Sequence, residues 1–412
     1  MRVLIIAASF PPMHGAQPYQ IEKVCKFLSK YGVELYVIAC GSKLRQCEQD
    51  EIQKRVNYNL EFINVPDLSH RLFKRFSGFL ETYATILSFR YRWFLGSAIR
   101  KAIIIINAFN PDIMLTVHYP IVAHIVGIAI KNRFNGLPWI SFFSDPWPRR
   151  ALPTPYSGKW AYEMLGFERT YLRNIIRKSD AIAVTSRFAW PYFERTARLN
   201  LEDRTICLPH CGGEAIDTAH QELEDFNCND RWLFHAGTLT GPRSCPELLR
   251  AVCRVASDHQ AHFKGLLIAG EETDGGTMRL ARQLGAGKYV KCLGNLPQSV
   301  VMYLHRMATC NLVVEANMLE SPFLPSKFAD CAVTHKPILA ISPSKSEIRS
   351  LFSEYGGGLA TAYDEEEIAR SIEKIFLYDE CLPQREHGLA HYFSGYNVAK
   401  AYSEMFYQVL RK

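Results

Sequence analysis

The stretch Val3-Leu4-Ile5-Ile6-Ala7 is a short apolar run at the start of the chain, of the kind that forms a buried parallel strand. A loop over residues 10–18 follows, and the apolar residues of Gln20–Tyr31 then recur at helical spacing. Gly32 ends this predicted helix, and Val33–Ala39 is a second apolar strand. Strand, helix and strand in this order make a βαβ unit, which predicts a parallel sheet.

The same alternation continues along the chain and restarts in its second half. Further predicted strands are Leu60–Val65, Ile113–Val117, Trp139–Phe143, Ala181–Thr185, Trp232–Gly237, Gly265–Ala269, Val290–Leu293, Leu312–Val314 and Pro337–Ile341. The pattern predicts an α/β fold with two Rossmann-like domains that face a central cleft. We place these domains at residues 1–212 and 230–395, a linker at 213–229, and a C-terminal helix at 396–412 that returns to the first domain.

The composition is that of an ordinary soluble enzyme. Of 412 residues, 48% are hydrophobic and 22% are charged, a balance that excludes wholesale disorder, a collagen-like chain and a polytopic membrane protein. The net charge of +7 suits anionic ligands or an anionic membrane surface, and we expect no nucleic-acid partner. Because the first apolar run is too short for a signal peptide and the 12 cysteines contain no CxxC pair, we expect a cytoplasmic protein.

Residues 70–101 form a basic and aromatic segment in which Glu81 is the single acidic residue. Seven cations alternate there with aromatic rings such as Phe73, Tyr83 and Trp93. Two interpretations stay open for this segment. It is either a pair of amphipathic helices whose apolar faces lie in the core, or a surface that contacts anionic lipid on the cytoplasmic face of the plasma membrane.

Several motifs that would specify other enzymes are missing. The sequence has no GxxxxGK[ST] phosphate loop, and the loop after the first strand lacks GxGxxG. It also has no GxSxG elbow and no HExxH zinc motif. These absences argue against P-loop hydrolases, dinucleotide dehydrogenases, α/β-hydrolases and zinc proteases of those types.

One candidate anion site follows the first strand of the second half, in the run His235–Arg243. A strand there leads into Gly237, and Arg243 precedes a predicted helix. An arginine in this position can pair with phosphate oxygens through two parallel hydrogen bonds, or can be a solvated residue at a helix start. Gly15, in the loop after the very first strand, is a similar candidate for close backbone approach to an anion or for a tight turn.

A second candidate lies in the run Ser321–Asp330. Its two prolines favour an extended loop, and Ser326 is a predicted N-cap for a helix that begins at Lys327. Lys327 adds positive charge beside the free N–H groups of that helix start. Asp330, one turn later, is placed to accept hydrogen bonds from ribose hydroxyls or to compensate the helix dipole.

In order and spacing, these motifs resemble GT-B glycosyltransferases of the family 4 type, which are retaining transferases that use nucleotide-activated sugars. The Gly15 loop resembles the family's N-terminal glycine loop, and Gly237–Arg243 is similar to its donor-phosphate loop. Pro325–Asp330 and then His335–Ala340 resemble the donor-binding helix and the strand after it. The likeness covers nearly the whole chain.

The resemblance implies a set of donor-binding residues in both halves. They are Gly15, Gly237, Thr238, Arg243, Leu324, Pro325, Ser326, Lys327 and Asp330. The chain departs from the family pattern at Pro322, where the first of two glutamates is usual, at Asp330, where the second is usual, and at Thr238, where an arginine is frequent. Arg243 and Lys327 are therefore the principal cations for a diphosphate.

The resemblance also implies an acceptor side in the first half. Asp145 follows a predicted strand and is placed to orient an acceptor hydroxyl, while Trp147 either stacks on a sugar ring or fills the core. His118, at the end of the Ile113–Val117 strand, is a further acceptor-side candidate, with a structural role as the alternative. Arg243, Lys327, Asp145 and His118 are thus the expected catalytic residues.

The implied reaction moves a sugar from a nucleoside-diphosphate donor to a hydroxyl of a glycan or lipid-linked acceptor, with retention, in cell-surface polysaccharide biosynthesis. The nucleotide sugar is then a substrate, and we expect no cofactor and no metal. Cys207 and Cys211 lack the second pair of ligands that a zinc site needs. Two alternatives stay open, a nucleotide-sugar epimerase and a non-catalytic protein that binds lipid or polyanion with a degenerate donor site.

Overall fold

The computed structural model describes most of the chain. The described residues are 1–13, 15–41, 46–65, 89–148, 151–156, 166–214, 230–270, 276–378 and 388–412. Most of the basic aromatic segment, residues 70–88, and most of the predicted linker, residues 215–229, lie outside the described residues.

The chain divides into two compact units. The first comprises Met1–Leu152, Lys159–Leu208 and Tyr396–Lys412, and the second comprises Pro153–Gly158 and Pro209–Gly395. Each unit is built on its own parallel sheet, so the predicted α/β class with two Rossmann-like sheets is confirmed.

The first unit contains a seven-stranded sheet of order β3-β2-β1-β4-β5-β6-β7. Its strands are β1 (Arg2–Ala7), β2 (Glu34–Cys40), β3 (Asn59–Ile63), β4 (Ile113–His118), β5 (Trp139–Phe143), β6 (Ala181–Val184) and β7 (Thr205–Cys207). All neighbouring pairs are parallel. Every residue of β4 and β5 is buried, as expected when helices cover both faces of a parallel sheet.

The second unit contains a six-stranded sheet of order β10-β9-β8-β11-β12-β13, again with parallel neighbours. Its strands are β8 (Trp232–Ala236), β9 (Gly265–Ala269), β10 (Val290–Cys292), β11 (Cys310–Val314), β12 (Ile338–Ile341) and β13 (Gly358–Thr361). Leu312 and Val313 of β11 belong to separate apolar clusters, which lie on opposite faces of the sheet.

Helices connect the strands, and their described bounds are as follows. They are α1 (Ala16–Lys30), α2 (Gln46–Arg55), α3 (Phe89–Phe109), α4 (Val122–Arg133), α5 (Gly166–Lys178), α6 (Ala189–Ala197), α7 (Pro246–Asp258), α8 (Gly276–Gln283), α9 (Gln298–Met307), α10 (Ser326–Ala332), α11 (Glu347–Tyr355), α12 (Glu365–Phe376), α13 (Leu389–Tyr392) and α14 (Gly395–Leu410). Short 3-10 turns cover Gly241–Arg243 and Gly287–Tyr289.

The structure extends and corrects several predicted elements. Helix α1 begins at Ala16 rather than Gln20, because Pro18 lies in the first turn, where a missing N–H costs no intrahelical bond. Strands β7 and β13 had no clear signal in the sequence. Both are edge strands, short and incompletely buried, so they lack a continuous apolar run.

Strand order reverses at one point in each sheet. In the first sheet the reversal lies between β1 and β4, and in the second it lies between β8 and β11. In open parallel sheets, ligands bind outside the carboxyl ends of the strands at such switch points. The loops that follow β1, β4, β8 and β11 are therefore where functional residues are sought.

Candidate functional site

The switch point of the second sheet is bordered by two loops that the sequence had singled out. The loop after β8 runs from Gly237 to the 3-10 turn that ends at Arg243. The loop after β11 begins at Glu315 and leads to helix α10, whose second residue is Lys327. The two predicted phosphate cations thus belong to the two elements that flank this switch point.

Position 237 needs a glycine for two reasons, its backbone conformation and the proximity of Lys327. Its φ of 119° lies in the region that favours glycine. A Cβ atom built on Gly237 would lie 2.5 Å from Nζ of Lys327. The Gly237 N–H donates to the carbonyl of Ala269 at 2.6 Å, which fixes the turn against β9. The glycine therefore lets the Lys327 ammonium approach the end of β8.

A buried histidine also contacts Lys327. His235 is fully buried on β8, and its Nε2 atom lies 3.2 Å from Nζ of Lys327. Its other ring nitrogen, Nδ1, lies 3.0 Å from the carbonyl oxygen of Leu312 on β11. His235, Gly237 and Lys327 therefore meet where β8 and β11 adjoin.

The electrostatics of this cluster favour an anionic ligand. Burial and the nearby positive charge of Arg243 lower the pKa of Lys327 to about 7. Arg243 is half-buried at the end of its 3-10 turn. Two neighbouring cations repel each other, and an anion such as a diphosphate that lies between them stabilises both.

The start of helix α10 differs from the prediction. Pro325 occupies the N-cap position, and Ser326 is the first residue of the helix and makes no capping hydrogen bond. The proline fits here because the residue before the helix needs no intrahelical N–H bond. The expectation that Ser326 is the N-cap is wrong, and the helix starts one residue earlier than expected.

Two further residues predicted to bind the donor make tertiary contacts. One carboxyl oxygen of Asp330 accepts the N–H of Gly213 at 2.7 Å, and the other lies 3.4 Å from the Gln298 amide. The carbonyl of Leu324 accepts a hydrogen bond from Nε2 of His210 at 2.9 Å, and the Leu324 side chain lies in the core. These contacts fix the chain around residues 210–213 against the α10 region.

Glu315 stabilises the loop between β11 and α10 through a hydrogen bond, a role that was not predicted from the sequence. The carboxyl group is 3% exposed, and the Ser321 hydroxyl donates to it at 2.5 Å. Burial raises the pKa of Glu315 to about 7 despite that hydrogen bond and the charge of Arg349. The signal available in the sequence was an acidic residue directly after a buried strand.

A small pocket lies between the Gly237–Arg243 loop and helices α7 and α8. Its volume is about 160 Å³. Its lining consists of Leu239, Thr240, Gly241, Ser244, Cys245, Leu249, Gly276, Thr277 and Leu280. Thr238, the remaining predicted donor residue of this loop, is half-buried.

In the first unit, Gly15 and His118 belong to the two loops at the other switch point. Gly15 has a φ of 141° and directly precedes α1. His118 ends β4 and is 3% exposed, and neither ring nitrogen has a hydrogen-bond partner among the described residues. Burial lowers the pKa of His118 to about 3, so its ring is neutral at pH 7.

The segment after β5 contains the other acceptor-side candidates. Asp145 is exposed, and Trp147 is buried at 5% exposure. Ser144 donates to the backbone carbonyl of His118 at 3.2 Å, which joins the ends of β4 and β5. The structure thus brings His118 near this segment and brings Gly237, Arg243 and Lys327 together in the other unit.

No group of three or more His, Cys, Asp or Glu side chains in the described ranges is arranged to hold a metal ion. None of the helices described above is both long enough and apolar enough to cross a membrane.

Comparisons with known proteins show the fold. No family model matches the sequence, and no curated protein matches it. HepE from Anabaena, solved in complex with UDP and glucose, has a TM-score of 0.64 at 12% identity, over 98% of each chain. Sucrose-phosphate synthase from Thermosynechococcus elongatus has a TM-score of 0.61 at 14% identity, over 100% of this chain and 96% of that one.

UDP-GlcNAc 2-epimerase from Neisseria meningitidis, bound to UDP-GlcNAc, is a third similar structure. Its TM-score is 0.57 at 11% identity, over 99% of this chain and 100% of that one. All three likenesses extend over both sheets rather than over one domain. The chain therefore has the GT-B type of α/β fold, which glycosyltransferases and epimerases share.

Proposed function

We propose that this chain is a retaining glycosyltransferase of the family 4 type. It moves a sugar from a nucleoside-diphosphate donor to a hydroxyl of a glycan or lipid-linked acceptor, in cell-surface polysaccharide biosynthesis. The observation that carries the proposal is the cation pair at the second switch point, where Lys327 lies against Gly237 and its pKa is lowered by burial and by Arg243. Similar structures with UDP or a UDP-sugar bound support the choice of ligand class.

The cation pair suits the chemistry of sugar transfer. When the bond between sugar and diphosphate breaks, negative charge grows on the leaving phosphate. Lys327 and Arg243, held on two elements that follow neighbouring strands of one sheet, stabilise that charge most strongly in the transition state. The nucleotide sugar is the substrate, and these two side chains do the work for which other enzymes use a metal ion.

The acceptor binds through residues of the first unit in this proposal. In this proposal Asp145, which is exposed, orients the acceptor hydroxyl. His118, neutral at pH 7, and Trp147 lie buried behind it at the ends of β4 and β5 and support this acceptor side from within. Attack on the same face as the leaving group lets a phosphate oxygen take the acceptor proton, so no protein nucleophile is needed.

An acceptor made at the cytoplasmic face of the membrane fits helix α3. This helix exposes Trp93 at 48% and Ile104 at 62%, with Arg92 and Arg100 also exposed and no acidic residue between Phe89 and Phe109. Apolar side chains flanked by arginines bind anionic lipid.

Trp93→Ser with Ile104→Ser should reduce sedimentation with phosphatidylglycerol vesicles, and Tyr407→Ser on α14 is the exposed-aromatic control. If the wild type, the double variant and the Tyr407→Ser variant sedimented equally with vesicles, membrane binding through α3 would be ruled out.

An epimerase is the second candidate, because an epimerase bound to its sugar nucleotide shares the fold over the whole chain. An epimerase converts its sugar nucleotide without an acceptor, whereas a transferase needs one. Product analysis with donor alone separates the two. A protein that binds lipid or polyanion without catalysis would bind vesicles and show no response to nucleotides.

The test begins with a panel of nucleotide sugars and nucleoside diphosphates in a thermal-shift assay. We expect one nucleotide to stabilise the protein, and we expect the shift to disappear in Arg243→Ala and in Lys327→Ala, because each variant removes one phosphate cation. Lys291→Ala, an exposed lysine on edge strand β10, is the charge-matched control and should keep the full shift. Equal shifts in all four proteins would rule out the assigned phosphate site.

A further inference from the structure

His235 carries hydrogen bonds on both ring nitrogens although it lies wholly inside the protein. A carbonyl oxygen can only accept, so the contact from Nδ1 to Leu312 requires the proton to be on Nδ1. Burial and the positive charge of Lys327 keep the pKa of His235 well below its usual range, so the ring is neutral. In this tautomer Nε2 bears a lone pair.

That lone pair faces an ammonium group. Nε2 lies 3.2 Å from Nζ of Lys327, and a lone pair on Nε2 can accept one of the three N–H bonds of the ammonium. The remaining N–H bonds are available to a ligand. Gly237 also lies against this ammonium, since a Cβ on this residue would lie 2.5 Å from Nζ and 3.8 Å from Nε2 of His235. The ammonium is therefore next to both a ring nitrogen and a bare backbone turn.

The charges around the pair show why an acceptor is needed there. Burial and Arg243 both disfavour the charged form of Lys327, and Cys331 acts weakly in the opposite direction. His235 is itself faced by Lys327, Arg243 and His305. None of the ion pairs among the described residues joins a carboxylate to Lys327, and the hydrogen bond of its ammonium goes to the lone pair on Nε2 of His235.

We propose that His235 is the positioning residue of the phosphate site, because its Nε2 lone pair holds the Lys327 ammonium beside Gly237, where the diphosphate of the donor binds. The inference rests on the proposed function and deepens it. It makes the connection between β8 and β11 part of the binding machinery, since the proton that fixes the tautomer is held by Leu312 of β11. A lysine side chain without this hydrogen bond would lose more conformational entropy when it binds the diphosphate than one that is already held by His235.

Two substitutions of His235 test the roles of its ring nitrogens Nδ1 and Nε2 separately. In His235→Asn the side-chain amide reaches the place of Nδ1, so the bond to Leu312 is retained and the acceptor for Lys327 is lost. In His235→Gln the amide oxygen reaches the place of Nε2, so Lys327 keeps an acceptor. Both variants remove the aromatic ring, and the pair therefore controls for lost packing.

The measurement is calorimetric titration with UDP and with inorganic pyrophosphate from pH 6 to 9. We expect His235→Asn to raise the Kd about tenfold or more, because a hydrogen bond to a charged group is lost. We expect His235→Gln to stay within about threefold of the wild type. In the Lys327→Met background, His235→Asn should change the Kd no further. The Kd of His235→Asn should also begin to rise at a lower pH, because its ammonium has lost an acceptor.

The possible outcomes distinguish an error in the phosphate site from an error in the positioning role of His235 alone. If the wild type binds neither UDP nor pyrophosphate, the phosphate site itself is wrong and the inference falls with it. If the wild type binds but the Asn and Gln variants weaken binding equally, only the positioning role is wrong. Should the Asn variant not fold, nitrogen NMR of the wild type decides, since a proton on Nε2 of His235 contradicts the proposal and a proton on Nδ1 supports it.

Discussion

Lys327 is only partly protonated at neutral pH in the free protein, because burial and Arg243 lower its pKa to about 7. A bound diphosphate favours the ammonium and raises that pKa. Nucleotide binding should therefore take up a proton above pH 7. We expect the Kd to be constant below about pH 7 and to rise toward tenfold per pH unit above it, until the pKa of the complex is reached.

Titration calorimetry in two buffers of different ionisation enthalpy measures the proton uptake directly. Lys327→Arg is the control, because an arginine stays protonated throughout this range and should remove the pH dependence above pH 7. A Kd that does not change between pH 6 and 9 in the wild type would contradict the position of Lys327 in the site.

Gly237 is the residue at which backbone and ligand site are most tightly coupled. Gly237→Ala places a methyl group on a backbone with a φ of 119° and only 2.5 Å from Nζ of Lys327. We expect a loss of about 1–2 kcal/mol in the free energy of unfolding from the positive φ, and in addition a loss of nucleotide binding as the ammonium is displaced.

The matched control for this substitution is Gly285→Ala. Gly285 also has a positive φ, 74°, but a Cβ there would meet no atom within 4 Å. Denaturant unfolding should show both variants destabilised, and nucleotide titration should show weakened binding for Gly237→Ala alone. If both variants bind nucleotide as the wild type does, the close approach of Lys327 has no functional role.

Some residues of the site could be recognised in the sequence, and others could not. Gly237, Arg243 and Lys327 could be named because a glycine after a strand and a cation before a helix are local patterns. His235 was not named, since a histidine inside an apolar strand resembles any core residue. Its role depends on Leu312, which lies 77 positions away in the chain. Asp330 was given a ligand role, and its contact with Gly213 spans 117 positions.

At the scale of elements, the loop between β11 and α10 is held by a titratable group. Glu315 has an unfolded pKa near 4.5 and a folded pKa of about 7, so the folded protein binds the proton more tightly. Its contribution to stability is therefore lost as pH rises from 4.5 to 7. Glu315→Gln keeps the acceptor for Ser321 without the charge and should be more stable than the wild type at pH 8, by up to roughly 3 kcal/mol.

The measurement is the free energy of unfolding as a function of pH, with Glu320→Gln as the control on the same loop. The variant at position 315 should show a flatter pH dependence between pH 4.5 and 7, and the control should follow the wild type. A destabilised Glu315→Gln protein at pH 8 would mean that the carboxylate is charged and needed in the folded state.

Most elements were predictable because each buried strand is a continuous apolar run followed by a helical pattern. The boundaries were less predictable where one residue type fits two positions. Ser326 suits an N-cap, yet Pro325 takes that position because its fixed φ fits the end of an extended loop. Strands β7 and β13 were not predicted because both are short and incompletely buried, so neither contains a continuous apolar run.

At the scale of the whole molecule, the two parallel sheets follow from a strand–helix alternation that restarts after residue 230. The repeated pattern specifies the sheets and their switch points, and hence where residues with functional chemistry gather. The proposed acceptor side, around His118, Asp145 and Trp147, depends on the combined shape of several side chains, which no local pattern encodes. Donor chemistry is therefore more accessible to sequence analysis than acceptor identity, because a phosphate needs only cations and glycine turns.

The central claim is that a diphosphate binds between Lys327 and Arg243 at the end of β8. A crystal structure of the protein with UDP, or with whichever nucleoside diphosphate stabilises it most, tests the claim directly. We expect phosphate oxygens within hydrogen-bonding distance of Nζ of Lys327 and of the Arg243 guanidinium, with Lys327 still in contact with His235. A diphosphate bound elsewhere, with both side chains unchanged from the free protein, would contradict it.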